Sequence, residues 1–151
     1  MDFLRLDKQP SLTMEGEGVM NQTLENLVKD VDGGLAAAVV DLTSGLIIGA
    51  YHNVPYFTQS YVDAVGAAAV DIFRGKTITA VETMMAAQRG DELKYHIKEI
   101  QMTTDGTYHF MAVIPDKPDY LLVFITRITT SLGAGWMATR DALKTAAPLC
   151  P

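Results

Sequence analysis

Cysteine is nearly absent from this chain, which has only Cys150 among its 151 residues. A single cysteine excludes an internal disulfide and a thiolate metal site built by one chain. The lack of a disulfide framework favours a reducing compartment, and we expect a cytoplasmic protein. Because Cys150 stands next to last, between Leu149 and Pro151, we expect an incidental surface thiol in a fraying C-terminal end and no activated nucleophile.

Positive charge is also scarce, with 12 Lys and Arg against 18 Asp and Glu and a formal net charge of -6. Without a basic stripe the chain lacks the main electrostatic attraction to nucleic acid, so we expect no nucleic-acid binding. Polar residues interrupt the apolar runs well before membrane-spanning length, so we expect no membrane insertion. The first ten residues contain Asp2, Arg5, Asp7 and Lys8, which does not fit a secretory signal.

The titratable residues form no catalytic pattern. His52, His96 and His109 do not have the sequence spacing of metal ligands. A two-residue turn at 105–106 would pair His109 with Met102, and the position opposite His96 would lie beyond the strand. His96 and His109 are therefore not expected to be cross-strand neighbours. Asp and Glu residues that lie close to one another in the sequence fall at predicted helix ends and in loops. Acidic residues are common there because they cap helices and are readily hydrated. We therefore predict no catalytic residue and no metal site.

The glycines do not form a nucleotide-binding motif. Gly75-Lys76-Thr77 matches only the end of a Walker sequence, because position 70 is Val. Gly133-Ala134-Gly135 lacks the third glycine of a dinucleotide fingerprint and no βαβ unit surrounds it. The sequence therefore predicts no cofactor and no enzyme.

Hydrophobic periodicity predicts eight elements. They are a helix over 19–31, strands over 35–42 and 46–51, a helical stretch over 58–88, strands over 95–104, 107–114 and 120–128, and a helix over 132–146. Turn residues support the divisions: Gly33-Gly34 stops the first helix, Gly45 belongs to the first hairpin turn, and Asp105-Gly106 is a two-residue hairpin signal.

The long helical stretch has two apolar stripes. The first contains Tyr61, Val65, Ala69 and Ile72, and the second contains Ile78, Val81 and Met85. The stripes are out of phase around Gly75, and glycine weakens a helix interior. We expect one long helix with a kink or a break at this glycine.

The order α-β-β-α-β-β-β-α predicts an α/β (α+β) fold. Hairpin-linked strands favour a mainly antiparallel sheet of five strands, and strands that are apolar on both sides require helices on both faces. We expect the first and last helices on one face and the middle helix on the other, in a three-layer sandwich. The predicted domain spans 19–147, between a flexible tail at 1–18 and a C-terminal tail at 148–151.

The motifs at both ends of the domain resemble the roadblock / dynein light chain family of bacterial or archaeal type. Gly33-Gly34, Asp41, Gly45 and Leu46 match its opening helix, glycine stop and first hairpin. Near the end, an apolar strand leads into Ser131-Leu132-Gly133, where the family often has Asn-Leu-Gly. Serine retains the capping chemistry of asparagine at that position. The resemblance covers about 24–146.

This resemblance implies a profilin-like fold and a homodimer in which the middle helices lie together and edge strands extend the sheet. It also implies a non-catalytic regulator or scaffold whose partner is a Ras-like small GTPase, in signalling, polarity or motility, with stimulation of GTP hydrolysis in some relatives. A structural adaptor without a GTPase and a small-ligand sensor are the alternatives. The candidate dimer or partner residues are Tyr61, Val65, Ala68, Ala69, Ile72 and Phe73, and the candidate turn and cap residues are Gly34, Gly45, Ser131 and Gly133.

Two features fit an interface and also have a structural explanation. The run Val65-Gly-Ala-Ala-Ala69 would let another backbone approach closely, or would pack this helix on its own sheet. Lys94 and Lys98 lie near the predicted edge strand, where lysines protect against unwanted pairing. Arg74, Arg89, Arg127 and Arg140 are explained by solvated element ends, so we assign none of them as an arginine finger.

Overall fold

The computed structural model describes residues 14–92 and 95–151. Its elements are α1 (Met14–Asp30), β1 (Gly34–Asp41), β2 (Ile47–His52), α2 (Gln59–Arg74), α3 (Lys76–Arg89), β3 (Glu99–Thr103), β4 (Thr107–Ile114), β5 (Lys117–Arg127) and α4 (Leu132–Ala146), followed by a 3₁₀ turn at Ala147–Leu149. The predicted element order is confirmed, with the middle helical region in two segments.

The five strands form one sheet in the order β2-β1-β5-β4-β3, and every neighbouring pair is antiparallel. The hairpin at Asp105-Gly106 closes with a 2.9 Å hydrogen bond from the Thr104 amide to the Thr107 carbonyl. His109 pairs with Met102, as the turn prediction requires. β2 and β3 are the two edges of the sheet.

Helices cover both faces of the sheet, so the predicted three-layer arrangement is confirmed. Successive residues of the central strand β5 face opposite ways. Leu122 and Phe124 pack in one core with residues of α1 and α4, namely Met20, Leu24, Leu27, Val28, Leu143 and Ala146. Leu121 and Val123 pack in the second core with Ala69 and Phe73 of α2. The first and last helices therefore share one face, and α2 covers the other.

Gly75 divides the middle helical region into α2 and α3. Its backbone is extended, with φ -65° and ψ 164°, so the helix stops there and restarts at the next residue. A Cβ at this position would overlap the carbonyl oxygen of Asp71, which already accepts the Gly75 amide. The alternative that the sequence left open, a single kinked helix, is therefore not adopted.

The first helix begins earlier than predicted. α1 starts at Met14 instead of position 19, so residues 14–18, expected to be part of a flexible tail, are helical. The remainder of that expected tail, residues 1–13, lies outside the described residues. Met20, Leu24 and Val28 are buried, which places the predicted apolar face of this helix against the sheet.

The C-terminal end is packed in the core, and the expectation of a surface thiol at Cys150 is wrong. Cys150 is 5% exposed and belongs to the core beneath α1 and α4. The 3₁₀ turn brings its amide to the Ala147 carbonyl at 3.3 Å, and Lys117 of β5 donates a 3.0 Å hydrogen bond to its carbonyl. Burial raises the pKa of this thiol to about 11, which opposes its use as a nucleophile.

Candidate functional site

The face of α2 that points away from the sheet carries small and aromatic side chains, with the exposed carboxylates of Asp63 and Asp71 among them. Tyr61, Ala64, Ala67 and Ala68, which we call the outer face of α2, are all exposed, with Tyr61 at 39%. Thr58 fixes the start of the helix, because its hydroxyl accepts the Tyr61 amide at 3.2 Å. Tyr61, Ala64 and Ala68 follow the i, i+3, i+7 spacing of one helical stripe, and Ala67 lies beside them.

The opposite side of α2 approaches the β1–β2 turn closely. Gly66 is buried, and a Cβ there would overlap the carbonyl oxygen of Gly45. Gly45 itself has φ +79°, a left-handed conformation that glycine adopts without strain. The smallest residue of the predicted small-residue run is therefore required by packing within the chain, whereas Ala67 and Ala68 remain exposed.

The candidate interface residues fall into three groups. Tyr61 and Ala68 are exposed, and Val65 and Ile72 are half-buried. Ala69 and Phe73 are 2% and 1% exposed and belong to the core between α2 and the sheet. Among these candidates, Tyr61 and Ala68 offer the surface that a partner would contact.

The candidate turn and cap residues have distinct roles. Gly34 is the first residue of β1, and a Cβ there would overlap the Val28 carbonyl oxygen; the left-handed stop is at Gly33, with φ +87°. Ser131 caps α4, since its hydroxyl accepts the Ala134 amide at 3.1 Å. Gly133 is exposed, and a Cβ there would meet no heavy atom within 4 Å.

In α3 the second predicted stripe is displaced by one residue. Val81, expected on the inner side, is 43% exposed, whereas Glu82 and Ala86 are 0% and 2% exposed. Met84 is also exposed, at 64%, so α3 adds two large apolar side chains to the protein surface. The buried face of α3 is therefore built around a carboxylate.

The Glu82 carboxylate organises the segment that leads into β3. One oxygen, Oε2, accepts the backbone amides of His96 at 2.5 Å and Ile97 at 3.2 Å. Within residues 14–92 and 95–151, its second oxygen and Nε2 of His96 are buried without a hydrogen-bond partner. The sequence contained a signal for this site, a glutamate four residues after Ile78 on an otherwise apolar side of the helix.

Arg74 joins the end of α2 to the same region. Its guanidinium lies over the Tyr95 ring, 3.6 Å from the ring centroid, and donates hydrogen bonds to the carbonyls of Pro118 at 2.6 Å and Phe73 at 3.0 Å. Burial lowers the pKa of this guanidinium. These contacts hold the Arg74 side chain against its own chain. They would have to break before its guanidinium could reach into a partner protein.

The histidines and carboxylates do not converge on a reactive centre in the part of the chain that the structure describes. There, no group of three or more His, Cys, Asp or Glu residues is placed to hold a metal ion. Arg140 donates two hydrogen bonds to the Glu99 carboxylate, at 2.8 and 2.6 Å, on the protein surface. Over the same described ranges, no helix has both the length and the apolar character needed to cross a bilayer.

Two of the cavities in the described part of the protein open beside α1. The α1–α4 cavity, about 640 Å³, opens between these helices and is bordered by Asp30, Asp32 and Asp141. The β2-edge cavity, about 410 Å³, runs along the outer edge of β2 between α1 and the start of α2. Oδ1 of Asn21, one of its lining residues, accepts the Ala50 amide at 2.9 Å. Neither lies under the outer face of α2.

The fold has solved counterparts, although no family sequence model and no curated protein sequence matches the chain. The gliding protein MglB from Thermus thermophilus is 15% identical, with a TM-score of 0.70 over 94% of this chain and 97% of that one. A Roadblock/LC7 domain from Streptomyces avermitilis is 14% identical, with a TM-score of 0.64 over 85% and 94%. Profilin II from Acanthamoeba castellanii is 12% identical, with a TM-score of 0.52 over 85% and 97%.

These similarities, together with the element order and sheet topology, define the fold of the protein. The chain has the roadblock/LC7 type of profilin-like fold, as its sequence motifs predicted. The likeness to MglB extends over nearly the whole of both chains.

Proposed function

We propose that this protein is a non-catalytic homodimeric regulator or scaffold, which self-associates through the outer face of α2 and binds a Ras-like small GTPase. The observation that carries the proposal is the exposure of Tyr61 beside three alanines on one helix face. On this proposal the protein acts in the cytoplasm, and it supplies a binding surface instead of a reactive centre.

The physical basis is the combination of small and aromatic side chains. Alanines allow two helix backbones to approach closely, and a tyrosine supplies a large area for burial with a polar group at its tip. The exposed apolar residues of this face gain free energy when a second surface removes them from water, whereas Asp63 and Asp71 on the same side favour a contact that leaves their carboxylates hydrated or paired. The other side of α2 is already occupied by Ala69 and Phe73 in the core, so the outer face is the side available to a partner.

The neighbouring structures support self-association and regulation. One solved MglB structure has a tetrameric arrangement, with 15% identity to this chain. MglB is named as a gliding protein, which fits a role in motility or polarity. The GTPase partner rests on the family resemblance of the motifs at both ends of the domain.

Self-association is tested by light scattering with two matched variants. We expect the wild type to be a dimer at high micromolar concentration, and Ala68→Glu to weaken it because the dimer would bury an unpaired charge. Ala134→Glu is the control, since Ala134 is exposed on α4, on the opposite face of the sheet. A wild-type monomer contradicts the homodimer, and a folded Ala68→Glu variant that dimerises normally removes this face from the interface.

The GTPase partner is tested by affinity capture from the native lysate, once with GDP and once with a non-hydrolysable GTP analogue. Nucleotide-dependent capture of a small GTPase, identified by mass spectrometry, supports the proposal and provides the partner for a hydrolysis assay. Capture of other proteins regardless of nucleotide favours the structural adaptor. If no protein is captured in either nucleotide state, the small-ligand sensor becomes the better hypothesis.

A further inference from the structure

The α1–α4 cavity is a groove with two helical walls. Its lining residues on α1 include Thr23, Asn26, Leu27 and Asp30, and those on α4 are Ala134, Met137, Ala138, Asp141, Ala142 and Thr145. Both sets follow the i, i+3, i+4, i+7 spacing of a single helix face. From Ala134 to Thr145 the α4 wall rises by about 16 Å. The cavity therefore runs along the two helices for about three turns.

The inner part of this groove is apolar, and its α4 wall is built from small side chains. Leu27 is 7% exposed and lines the α1 side. Ala134 is exposed on α4, and Ala138 and Ala142 are half-buried one and two turns further along. Short side chains at a contact allow two helix axes to approach closely. Met137 stands beside them at 68% exposure, with a flexible side chain that can pack against an incoming surface.

The charged residues that border the groove are all carboxylates. Asp30, Asp32 and Asp141 are exposed. No Lys or Arg lines the groove within the described ranges 14–92 and 95–151. Lys29, next to Asp30 in the sequence, bonds to Glu25 at 2.5 Å. The groove thus offers unbalanced negative charge to whatever binds in it.

Two of these carboxylates lie where their own helix disfavours them. Asp30 is the last residue of α1, and Asp32 follows two positions later. The carbonyl end of a helix carries partial negative charge, so anions there are unfavourable and cations are favourable. On the other wall, the Ala134 amide already donates to the Ser131 hydroxyl at 3.1 Å and is not free for an anion. Both walls therefore favour a cationic occupant.

We propose that the α1–α4 cavity binds a cationic amphipathic helix of a partner protein, about three turns long. The apolar side of that helix packs on Leu27 and the alanines of α4, and its Lys or Arg side chains pair with the bordering carboxylates. An amphipathic helix in an apolar groove is a common mode of peptide recognition, and the length of the groove matches three turns. A small polyamine would pair with the carboxylates but would leave the apolar wall in contact with water.

The groove lies on the face of the sheet opposite α2, because α1 and α4 cover one face and α2 covers the other. A helix bound there does not touch the outer face of α2. The proposal is therefore independent of the homodimer and of the GTPase, and the failure of either one leaves it standing.

NMR titration of the ¹⁵N-labelled full chain with three synthetic peptides tests the proposal. The first has about 12 residues, with Leu and Ala on one helical face and Lys on the other. The second has the same composition in an order without an apolar face, and the third has Glu in place of each Lys. We expect the first to shift amide resonances along the groove and to become helical on binding, and the other two to bind at least tenfold more weakly. No binding of the first peptide at about 1 mM, shifts confined to other surfaces, or equal binding of either control peptide overturns the proposal.

Matched charge reversals show whether the contact is local. Asp30→Lys combined with Asp141→Lys should raise the Kd of the first peptide at least tenfold. Asp91→Lys combined with Glu92→Lys changes the net charge by the same amount at exposed positions that do not line the groove. This control pair should change the Kd less than twofold. Equal weakening by the two pairs would assign the binding to diffuse attraction by an acidic protein and refute the proposal.

Two further titrations test other occupants of the groove. Dilution of the chain without peptide should leave the resonances of Ala134, Ala138 and Ala142 unmoved, whereas shifts with concentration at these residues would assign the groove to a second copy. Spermine should bind more weakly than the first peptide, because it cannot cover the apolar wall. Equal or tighter binding of spermine would assign the groove to a small cation. Either of these assignments contradicts the proposal.

Discussion

The carboxylate of Glu82 accepts the backbone amide of His96 at 2.5 Å and so ties α3 to the segment before β3. A second bond from the Ile97 amide, at 3.2 Å, uses the same oxygen. These two amides are therefore bound to a side chain instead of a neighbouring strand. This explains why β3 begins at Glu99, four residues after the predicted start at position 95.

Replacing Glu82 should destabilise the protein more than replacing an exposed residue of the same helix. We expect Glu82→Ala to lower the free energy of unfolding by about 1–3 kcal/mol, because two backbone amides lose a buried acceptor. Gln88→Ala, at an exposed position of α3, should change it by less than about 0.5 kcal/mol. Urea unfolding measures both. Equal effects of the two substitutions would show that the hydrogen bonds contribute little to stability.

The sequence predicted the features that depend on local periodicity. The spacing of apolar residues and the cap at Ser131 gave α4 its observed bounds, Leu132–Ala146. Asp105-Gly106 gave the register of β3 against β4. In these places residues that are close in the sequence determine the structure, so the local sequence alone predicts it.

Features that depend on distant contacts were missed. Cys150 is buried because the end of the chain meets Lys117, 33 positions earlier, and this contact leaves no local pattern. The first turns of α1 contain Gly16 and Gly18, which favour a loop by propensity, yet they extend a helix that packs on the sheet. The outer face of α2 was predictable only in part. The apolar stripe indicated the helix, but the sequence does not show that Ala68 is exposed and Ala69 is buried, because this depends on how the helix packs on the sheet.

Two glycine substitutions should have opposite effects on stability. Gly66→Ala places a methyl group against the Gly45 carbonyl oxygen, and overpacking of this kind costs about 1–3 kcal/mol. Gly18→Ala meets no heavy atom within 4 Å and lies in α1, so it should stabilise by about 0.5–1 kcal/mol through helix propensity. Thermal unfolding of the two variants measures the signs. A neutral Gly66→Ala would mean that α2 can shift away from the β1–β2 turn.

His109 should make the folded state sensitive to mild acid. The imidazole is half-buried on β4, and burial lowers its pKa. Because the folded state disfavours the protonated ring, the stability from neutral His109 is present above the unfolded pKa, near 6.5, and is lost as pH falls through the lower folded value. Stability measured at pH 7 and pH 5 should fall more in the wild type than in His109→Gln. Parallel pH profiles would assign the acid sensitivity to other groups.

Cys150 should resist alkylation in the folded protein and make its stability decline in alkali. Its pKa is raised from 9.0 to about 11 by burial. At pH 8 the thiolate fraction is therefore lower by about a hundredfold than in the unfolded chain, and iodoacetamide should react at least that much more slowly. Since the folded state retains the proton, its stability is expected to fall as pH rises from about 9 to about 11. Mass spectrometry with and without urea gives the two rates, and Cys150→Ala should show a shallower alkaline decline. Rapid labelling of the native protein would mean that the C-terminal end leaves the core readily.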